Sequence, residues 1–243
     1  MNNITYENRV VIFLDILGFQ KIIQSTVDKD IDRPEKIKLI YDALYKMREY
    51  LGVDNDEQTT KRVTQFSDSV IISFHESDEG KVLYVLNDIQ LLLIELIGKG
   101  ILVRGGISYG KMYHDDKFAF GPAFIDAYLT ESKAALYPRV ILDQKIVDIG
   151  KRHHQIYGNP TEEKQNILSL ITKDTDGMYY IDYFTKALNQ VDDMWTVYVN
   201  DLMKIIKDGL KSKGPDLKVK YGWMKSKYNA MASRSNNNVI EEI

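Results

Sequence analysis

Two aspartates stand at the ends of apolar segments and could hold a metal ion. Asp15 follows the apolar residues 10–14, a run whose length and composition are typical of a buried strand. Asp68 lies between residues 62–66 and 70–74, two strand patterns that only three residues separate, which predicts a tight hairpin. An unpaired charge at the end of a buried strand costs several kcal/mol, so Asp15 requires a partner.

Asp68 is the candidate partner, although 53 positions (68 − 15) separate the two aspartates. In a ferredoxin-like sheet the first strand lies beside such a hairpin, and two neighbouring carboxylates repel each other unless a cation lies between them. Oxygen ligands of this kind select Mg²⁺ or Mn²⁺. Simpler explanations exist for each residue alone, since Asp68 could be an ordinary turn residue and Asp15 could cap the next helix. At matched strand ends the pair favours a metal site. His114, Asp115 and Asp116 also look metal-like, but adjacent residues in a polar loop rarely converge on one ion.

The elements that would position the pair alternate between strands and helices. Five segments have strand patterns: residues 9–16, 62–66, 70–74, 101–113 and 138–142. Three have helical patterns: residues 20–51 with a break at Pro34, residues 79–97, and residues 121–136. This order predicts an α+β fold in which helices pack on one face of a mostly antiparallel, ferredoxin-like sheet.

The pattern changes after Asp143. We predict a core over residues 1–143, a mainly helical extension over residues 144–232 packed on it, and a polar tail over residues 233–243. Gly177 indicates a small hairpin or an isolated strand within the extension. The last helix carries basic and aromatic residues that could indicate nucleic-acid binding, but one packed and one solvated face explain them more simply.

The composition is that of a globular protein with little charge bias. The chain has 243 residues, of which 44% are hydrophobic, and a formal net charge of −3, which disfavours nucleic acid as a partner. It has no cysteine, so disulfides and thiolate metal sites are excluded. No targeting segment is visible, and the apolar residues 91–103 carry Glu95 and Lys99 and are too short to span a bilayer. We therefore expect a soluble, cytoplasmic protein without a membrane partner.

Four segments resemble the class III nucleotidyl cyclases, the family of adenylate and guanylate cyclase catalytic domains. They are FLDILGF, QFSDSVIISF, LVRGGISYGKM and FAFGPAFIDAYLTES, in the family's order within residues 9–143. The resemblance implies that Asp15, Asp68 and the backbone carbonyl of Ile16 hold two Mg²⁺ or Mn²⁺ ions. It also implies a reaction in which the ribose 3′-hydroxyl attacks the α-phosphorus of a nucleoside triphosphate and pyrophosphate leaves. One ion would lower the pKa of the hydroxyl, and the other would bind the triphosphate.

Two positions depart from the family pattern. Where the family has a transition-state asparagine and a phosphate-binding arginine, this chain has Ile125 and Leu129, which cannot take those roles. We expect Arg104 to take part in catalysis and Arg139 to bind the nucleotide, because a guanidinium can engage phosphate oxygens in pairs. A surface salt bridge is the alternative for each arginine.

The base-reading positions indicate a pyrimidine. Thr64 stands where adenine-reading members of the family have a lysine and guanine-reading members a glutamate, and Phe118 stands where adenine-reading members have an aspartate or threonine. An apolar Phe118 would narrow the pocket and favour the smaller ring. Gly18 would let a phosphate approach the start of the next helix, so Phe19 is also predicted to bind the nucleotide. Simple turn geometry is the alternative reason for Gly18.

The segments RGGISYGKMYHDDKFAFGPAFIDAY, YPRVILD and KYGWMKSKYN resemble, more specifically, the pyrimidine cyclases of bacterial Pycsar anti-phage systems. The resemblance implies UTP or CTP as the substrate, with UTP favoured, and a cyclic product that acts on a separate effector. Class III sites form between two catalytic domains, so a single core implies a homodimer with active sites at the interface. Two alternatives stay open: a cyclase-like module that binds nucleotide without turnover, and a polymerase-type palm domain.

Overall fold

The computed structural model describes residues 4–52, 60–78, 80–150, 160–187, 194–234 and 240–243. The part up to residue 98 contains β1 (Glu7–Ile16), α1 (Phe19–Gln24), β2 (Val27–Asp28), β3 (Ile31–Asp32), α2 (Pro34–Leu51), β4 (Arg62–Phe66), β5 (Ser69–His75) and α3 (Lys81–Gly98). Up to residue 150 there follow β6 (Val103–His114), β7 (Ala119–Phe120), α4 (Pro122–Leu129) with a π-helical turn (Thr130–Ala134), β8 (Val140–Leu142) and α5 (Gln144–Gly150). The remainder contains α6 (Pro160–Leu170), β9 (Ile171–Lys173), β10 (Tyr179–Ile181), α7 (Trp195–Leu210) and α8 (Pro215–Ala232).

One sheet organises these elements. Its strands lie in the order β4-β5-β1-β6-β8-β10-β9, with β7 paired to the outer end of β6. The pairs along it are antiparallel except β6 with β8, which run parallel. The predicted α+β fold with a mostly antiparallel sheet is therefore confirmed, as is the order strand, two helices, hairpin, helix, strand, helix, strand. The short hairpin of β2 and β3 was not predicted.

Strand β1 is buried on both faces, which explains its continuous apolar run. Val10, Ile12 and Leu14 belong to the main core, which also takes in buried residues of α2 and α3. Val11 and Phe13 point the other way and pack in a second, smaller core with residues of α4. We expected the helices to lie on one face, and the structure instead places α4 on the face opposite to α2 and α3.

The sheet continues past the predicted boundary at residue 143. Strands β9 and β10 form the small hairpin expected around Gly177, and β10 pairs with β8. Helices α7 and α8 contribute to the same main core as β1 and α3. The predicted core and its helical extension thus share one sheet and one interior.

Some predicted boundaries lie outside the described residues. These are the helix start at Glu79, residues 151–159 and 188–193 of the extension, and residues 235–239 of the polar tail. None of the helices in the described ranges combines the length and the low polarity needed to cross a bilayer.

Candidate active site

Asp15 and Asp68 lie next to each other at one end of the sheet. Asp15 is the penultimate residue of β1, and Asp68 lies in the turn between β4 and β5. Burial raises the pKa of the Asp15 carboxyl, and the adjacent negative charge of Asp68 raises it further. The Ser69 hydroxyl donates a hydrogen bond to Oδ1 of Asp15 at 3.1 Å, which offsets part of this shift. The structure thus brings together the two carboxylates that the sequence placed at matched strand ends.

The turn that carries Asp68 is tighter than expected. Ser69 already pairs with Phe66, so only Ser67 and Asp68 remain between the strands. Ser67 has a φ of 55°, in the left-handed region that glycine usually occupies, as two-residue hairpin turns often require. Asp68 is therefore a turn residue that also faces Asp15. Asp15 does not cap the next helix, because Gly18 occupies the N-cap of α1 and no side chain caps that helix.

The backbone carbonyl of Ile16 is directed toward the same turn. The Leu17 N–H donates to the Leu102 carbonyl at 2.8 Å, on the β6 side of β1. Backbone groups alternate in direction along an antiparallel strand, so the Ile16 carbonyl points to the β5 side. The ladder between β1 and β5 ends at Leu14 and Val70, so this carbonyl lies beyond the last pair, beside the turn that carries Asp68.

Arg104 and a third carboxylate complete the cluster. Arg104 is paired with Asp15 across β1 and β6, and its Nη2 lies 3.6 Å from Oδ2 of Asp15. Its Nε lies 2.5 Å from Oε1 of Glu131, a residue only 2% exposed. Burial raises the pKa of Glu131, the Arg104 charge lowers it, and the negative charges of Asp15 and Asp68 add to the rise. Asp15, Asp68 and Glu131 together with Arg104 carry an excess of two negative charges when all are ionised, which one divalent cation would neutralise.

Sequence reasoning missed Glu131, which lies in the π-helical turn after α4. A Cβ at Gly106 would lie 2.3 Å from the Ala127 carbonyl oxygen and 3.0 Å from the Glu131 nitrogen. Only glycine at this position lets the end of α4 approach β6 closely enough to bring Glu131 to Arg104. The available signal was the glycine pair at 105 and 106 within a strand, which indicates close approach of another backbone.

The candidate metal ligands are all oxygen atoms, those of the Asp15 and Asp68 carboxylates and of the Ile16 carbonyl, and such a donor set fits a hard divalent cation. Among the described residues, no group of three or more His, Asp or Glu side chains has the arrangement of a metal site. The chain would therefore supply two carboxylates and one backbone carbonyl. Mg²⁺ is commonly held in this way, by one or two carboxylates together with water and substrate phosphates.

The three remaining predicted positions lie on different elements: Phe19 follows β1 at this end of the sheet, Thr64 is in β4, and Phe118 comes after the end of β6 opposite to Arg104. Thr64 pairs with Ile71, which pairs with Phe13, two residues before Asp15, so Thr64 and Asp15 lie on the same face. Phe118 is exposed in the connection between β6 and β7. Phe19 is the first residue of α1 and packs partly against the main core.

We predicted that Arg139 binds the nucleotide, and the structure contradicts this. Its side chain is 1% exposed, and its guanidinium is paired with Asp174 through Nη1 at 2.6 Å and with Asp176 through Nη2. It also lies over the rings of Tyr137 and Trp223. Arg139 therefore joins β8 to the turn between β9 and β10 and to α8. The aromatic residue Trp223 belongs to this packed cluster, as the simpler explanation of the last helix requires.

The expectation that residue 114 lies in a polar loop was wrong. His114 is the last residue of β6 and is 7% exposed. Gly110, with a φ of 158°, has extended backbone within the same long strand, which carries His114 to the β4–β5 hairpin.

Comparison with known proteins finds likeness at the level of structure. No family model and no curated protein matches the chain. The chain is similar to a bacterial light-regulated adenylyl cyclase, with a TM-score of 0.46 and 13% identity over 67% of this chain and 56% of that one. The chain thus spans little more than half the length of that protein.

Two further solved structures are similar. One is the catalytic core of a rhodopsin-guanylyl cyclase with converted specificity in complex with ATPαS, with a TM-score of 0.43 and 15% identity over 74% of this chain and 98% of that one. The other is an adenylate/guanylate cyclase/hydrolase from Silicibacter pomeroyi, with a TM-score of 0.38 and 15% identity over 60% of this chain and 81% of that one. Likeness at this level leaves the function to be argued from the site.

Proposed function

We propose that the protein is a metal-dependent nucleotidyl cyclase that converts a pyrimidine nucleoside triphosphate, UTP in preference to CTP, to its 3′,5′-cyclic monophosphate and pyrophosphate. The observation that carries the proposal is the contact between the Asp15 and Asp68 carboxylates, with the pKa of Asp15 raised by burial and by its neighbour. Such a pair is relieved of its repulsion when a divalent cation binds. The guanidinium of Arg104, beside the pair, is suited to stabilising charge on phosphate oxygens.

Each residue of the cluster has a role in this proposal. Asp15, Asp68 and the carbonyl of Ile16 would hold two Mg²⁺ or Mn²⁺ ions, whose chemistry is to acidify the ribose hydroxyl and to offset charge on the leaving group. Glu131 holds Arg104 by its Nε, while Nη2 of Arg104 lies near Asp15, where it would meet the substrate phosphates. The exposed ring of Phe118 would lie against the base and limit the size of the ring that fits.

We also propose a homodimer with two shared sites. Phe66, which is 82% exposed, lies on the same sheet face as Thr64 and Asp15, and Ile125 and Tyr128 are exposed on the helix that packs on this face. Exposed apolar residues grouped on one face are typical of an interaction surface. In the dimer, the carboxylates of one copy would face the base-binding residues of the other.

The cyclic nucleotide would act as a second messenger on a separate effector in anti-phage defence, in the cytoplasm. This part of the proposal is supported by the resemblance to Pycsar cyclases alone. Infection of cells that carry the wild-type gene or an Asp68→Asn gene tests it, because only the wild type should accumulate the cyclic nucleotide and resist phage.

A nucleotide-binding module without turnover is the second candidate. It is favoured by the apolar side chains of Ile125 and Leu129, which offer no hydrogen bond to a phosphate or a ribose. In that case Asp15 and Asp68 would bind a metal–nucleotide complex that is not consumed.

The experiment that separates the candidates is incubation with ATP, GTP, UTP and CTP in turn, with Mn²⁺, followed by detection of pyrophosphate and cyclic monophosphate. We expect product from UTP above all. Asp68→Asn should abolish it, whereas the control Asp208→Asn, which removes an exposed charge on α7, should not. Full activity in Asp68→Asn would overturn the metal role, and faster use of ATP or GTP would overturn the pyrimidine assignment. Binding without product would support the second candidate, and primer extension would support a palm domain.

Mixing two inactive variants tests the shared site. Asp68→Asn lacks the metal half and Phe118→Asp disturbs the base half, so mixed dimers contain one intact site. Recovery of about a quarter of wild-type activity is expected from random pairing of a two-fold dimer. No recovery, with dimers present, would place both halves of a site in one chain.

A further inference from the structure

A chain of hydrogen-bonded side chains crosses the sheet and ends at Thr64. Nε of Arg9 donates to Oγ of Ser73 at 2.8 Å. That same Oγ lies 2.8 Å from Nδ1 of His114, and Nε2 of His114 lies 2.9 Å from Oγ1 of Thr64. Arg9, Ser73 and His114 are buried, whereas Thr64 is partly exposed. The four residues come from β1, β5, β6 and β4, so the sheet itself fixes their spacing.

Arg9 sets the direction in which these hydrogen bonds are donated, because a guanidinium can only donate. The Ser73 oxygen therefore accepts from Arg9, and its own hydrogen is free for His114. Ser73 is 0% exposed, and a buried hydroxyl hydrogen without an acceptor is costly, so it is donated to Nδ1 of His114. This leaves the ring proton on Nε2, from which it is donated to the Thr64 oxygen.

The histidine carries a single proton at neutral pH. Burial lowers the pKa of His114 to about 4, and the positive charges of Arg9 and Arg62 contribute, against smaller opposing effects of Asp115 and Asp116. A neutral imidazole donates through one nitrogen and accepts through the other, which is what the two hydroxyl neighbours require. The Thr64 oxygen is thus occupied as an acceptor on its His114 side, and its hydrogen is left to point to the exposed side.

We propose that the Thr64 hydroxyl donates a hydrogen bond to a carbonyl oxygen of the substrate's base, and that Arg9, Ser73 and His114 are positioning residues that fix this polarity. The proposal rests on the cyclase function proposed above. Uracil has two ring carbonyl oxygens and cytosine has one, with an amino group in place of the other. Donation to the oxygen at ring position 4, where cytosine carries the amino group, would favour UTP over CTP.

The first test measures the tautomer of His114 and needs no nucleotide. Long-range ¹H–¹⁵N spectra of the full chain separate protonated from unprotonated imidazole nitrogens, and a His114→Asn variant assigns the signals. We expect His114 to be neutral at pH 7 with its proton on Nε2. Ser73→Ala should shift the population toward the Nδ1–H tautomer, because the hydroxyl that donates to Nδ1 is gone. A wild-type His114 that is charged, or protonated on Nδ1, would overturn the proposal whatever the enzyme does.

The second test measures the ratio of kcat/KM for UTP to that for CTP. Loss of one such hydrogen bond should lower the ratio about five- to tenfold in Thr64→Val, and Thr64→Ser should restore it. Ser73→Ala should also lower it, whereas Ser108→Ala should not, because the Ser108 hydroxyl, which is also buried, donates to the Ala123 carbonyl and makes no hydrogen bond to Arg9, His114 or Thr64 among those described. Melting temperatures of all four variants check that the fold is kept.

The outcomes separate this proposal from the one on which it rests. Turnover of UTP and CTP with an unchanged ratio in Thr64→Val would overturn the role of Thr64 and leave the cyclase function standing. If neither nucleotide is turned over, the ratio of their dissociation constants takes the place of kcat/KM. If neither binds, both proposals fall.

Discussion

Replacing Asp174 by asparagine should destabilise the protein strongly. Oδ2 of Asp174 accepts from Nη1 of Arg139 at 2.6 Å and from the indole N–H of Trp223 at 2.8 Å, and Oδ1 accepts from Lys227 at 2.5 Å. The side chains of Asp174 and Arg139 are each 2% exposed, so neither charge reaches water. Removing one partner of a buried ion pair costs about 3–5 kcal/mol. Arg139 would keep Asp176, so we expect about 3 kcal/mol.

The free energy of unfolding, from guanidinium denaturation followed by circular dichroism, measures this cost. About 3 kcal/mol lowers the melting temperature of a chain of this size by about 6–12 °C. Arg139→Met should cost less, about 1–2 kcal/mol, because Asp174 would keep Lys227 and Trp223 as donors. The double variant should cost less than the sum, since the two residues share one interaction.

The pH dependence of the free energy of unfolding provides a second test of the Asp174 interactions. Burial alone would raise the pKa of Asp174, but hydrogen bonds from Lys227, Trp223 and the Thr175 backbone lower it below its usual value. A lowered pKa means that the contribution is present above about pH 4 and is lost as pH falls through the folded-state pKa. Asp174→Asn should therefore lose less stability on acidification than the wild type. A cost below about 1 kcal/mol, the range of exposed pairs, would refute the reasoning.

Four further outcomes are expected. Glu131→Gln should lower cyclase turnover without unfolding the chain, because Arg104 loses the carboxylate that holds its Nε; unchanged kcat would contradict this. Gly106→Ala should cost about 1–3 kcal/mol in a denaturation experiment, since its Cβ would lie 2.3 Å from a backbone oxygen, and the absence of any cost would show that α4 can move aside. Mn²⁺ should raise the melting temperature of the wild type and not of Asp15→Asn, more so as pH rises through the raised pKa of Asp15; equal shifts would place the ion elsewhere. The free energy of unfolding should increase by about 3 kcal/mol from pH 4 to 6.5 through His114, because its pKa is 6.5 in the unfolded chain and about 4 in the folded one. His114→Asn should flatten this rise.

Local patterns were sufficient for most of the fold and for the centre of the site. The apolar run of β1 and the close spacing of β4 and β5 predicted a strand beside a hairpin, and that neighbourhood brings Asp15 and Asp68 together. The helical spacing predicted α3 over residues 79–97, and in the described residues this helix runs from Lys81 to Gly98. These features depend on neighbours within one or two elements, which a sequence shows directly.

The errors concern contacts between residues far apart in the chain. Arg139 looked like a phosphate ligand because its partners, Asp174 and Asp176, come 35 and 37 residues later in a hairpin whose position was unknown. His114 looked like a loop residue because nothing nearby shows that β6 is long enough to reach Ser73. Glu131 was missed because its approach to Arg104 depends on the absence of a side chain at Gly106.

The pairing of β10 with β8 has a consequence for anyone who shortens this protein. A chain that stops at residue 143 would end in Val140–Leu142, three wholly buried apolar residues with one open row of backbone donors and acceptors. Such an exposed edge strand can pair with strands of other molecules, so the fragment should aggregate rather than yield a minimal enzyme. A usable truncation would have to place charged residues on that edge strand or keep the hairpin of β9 and β10.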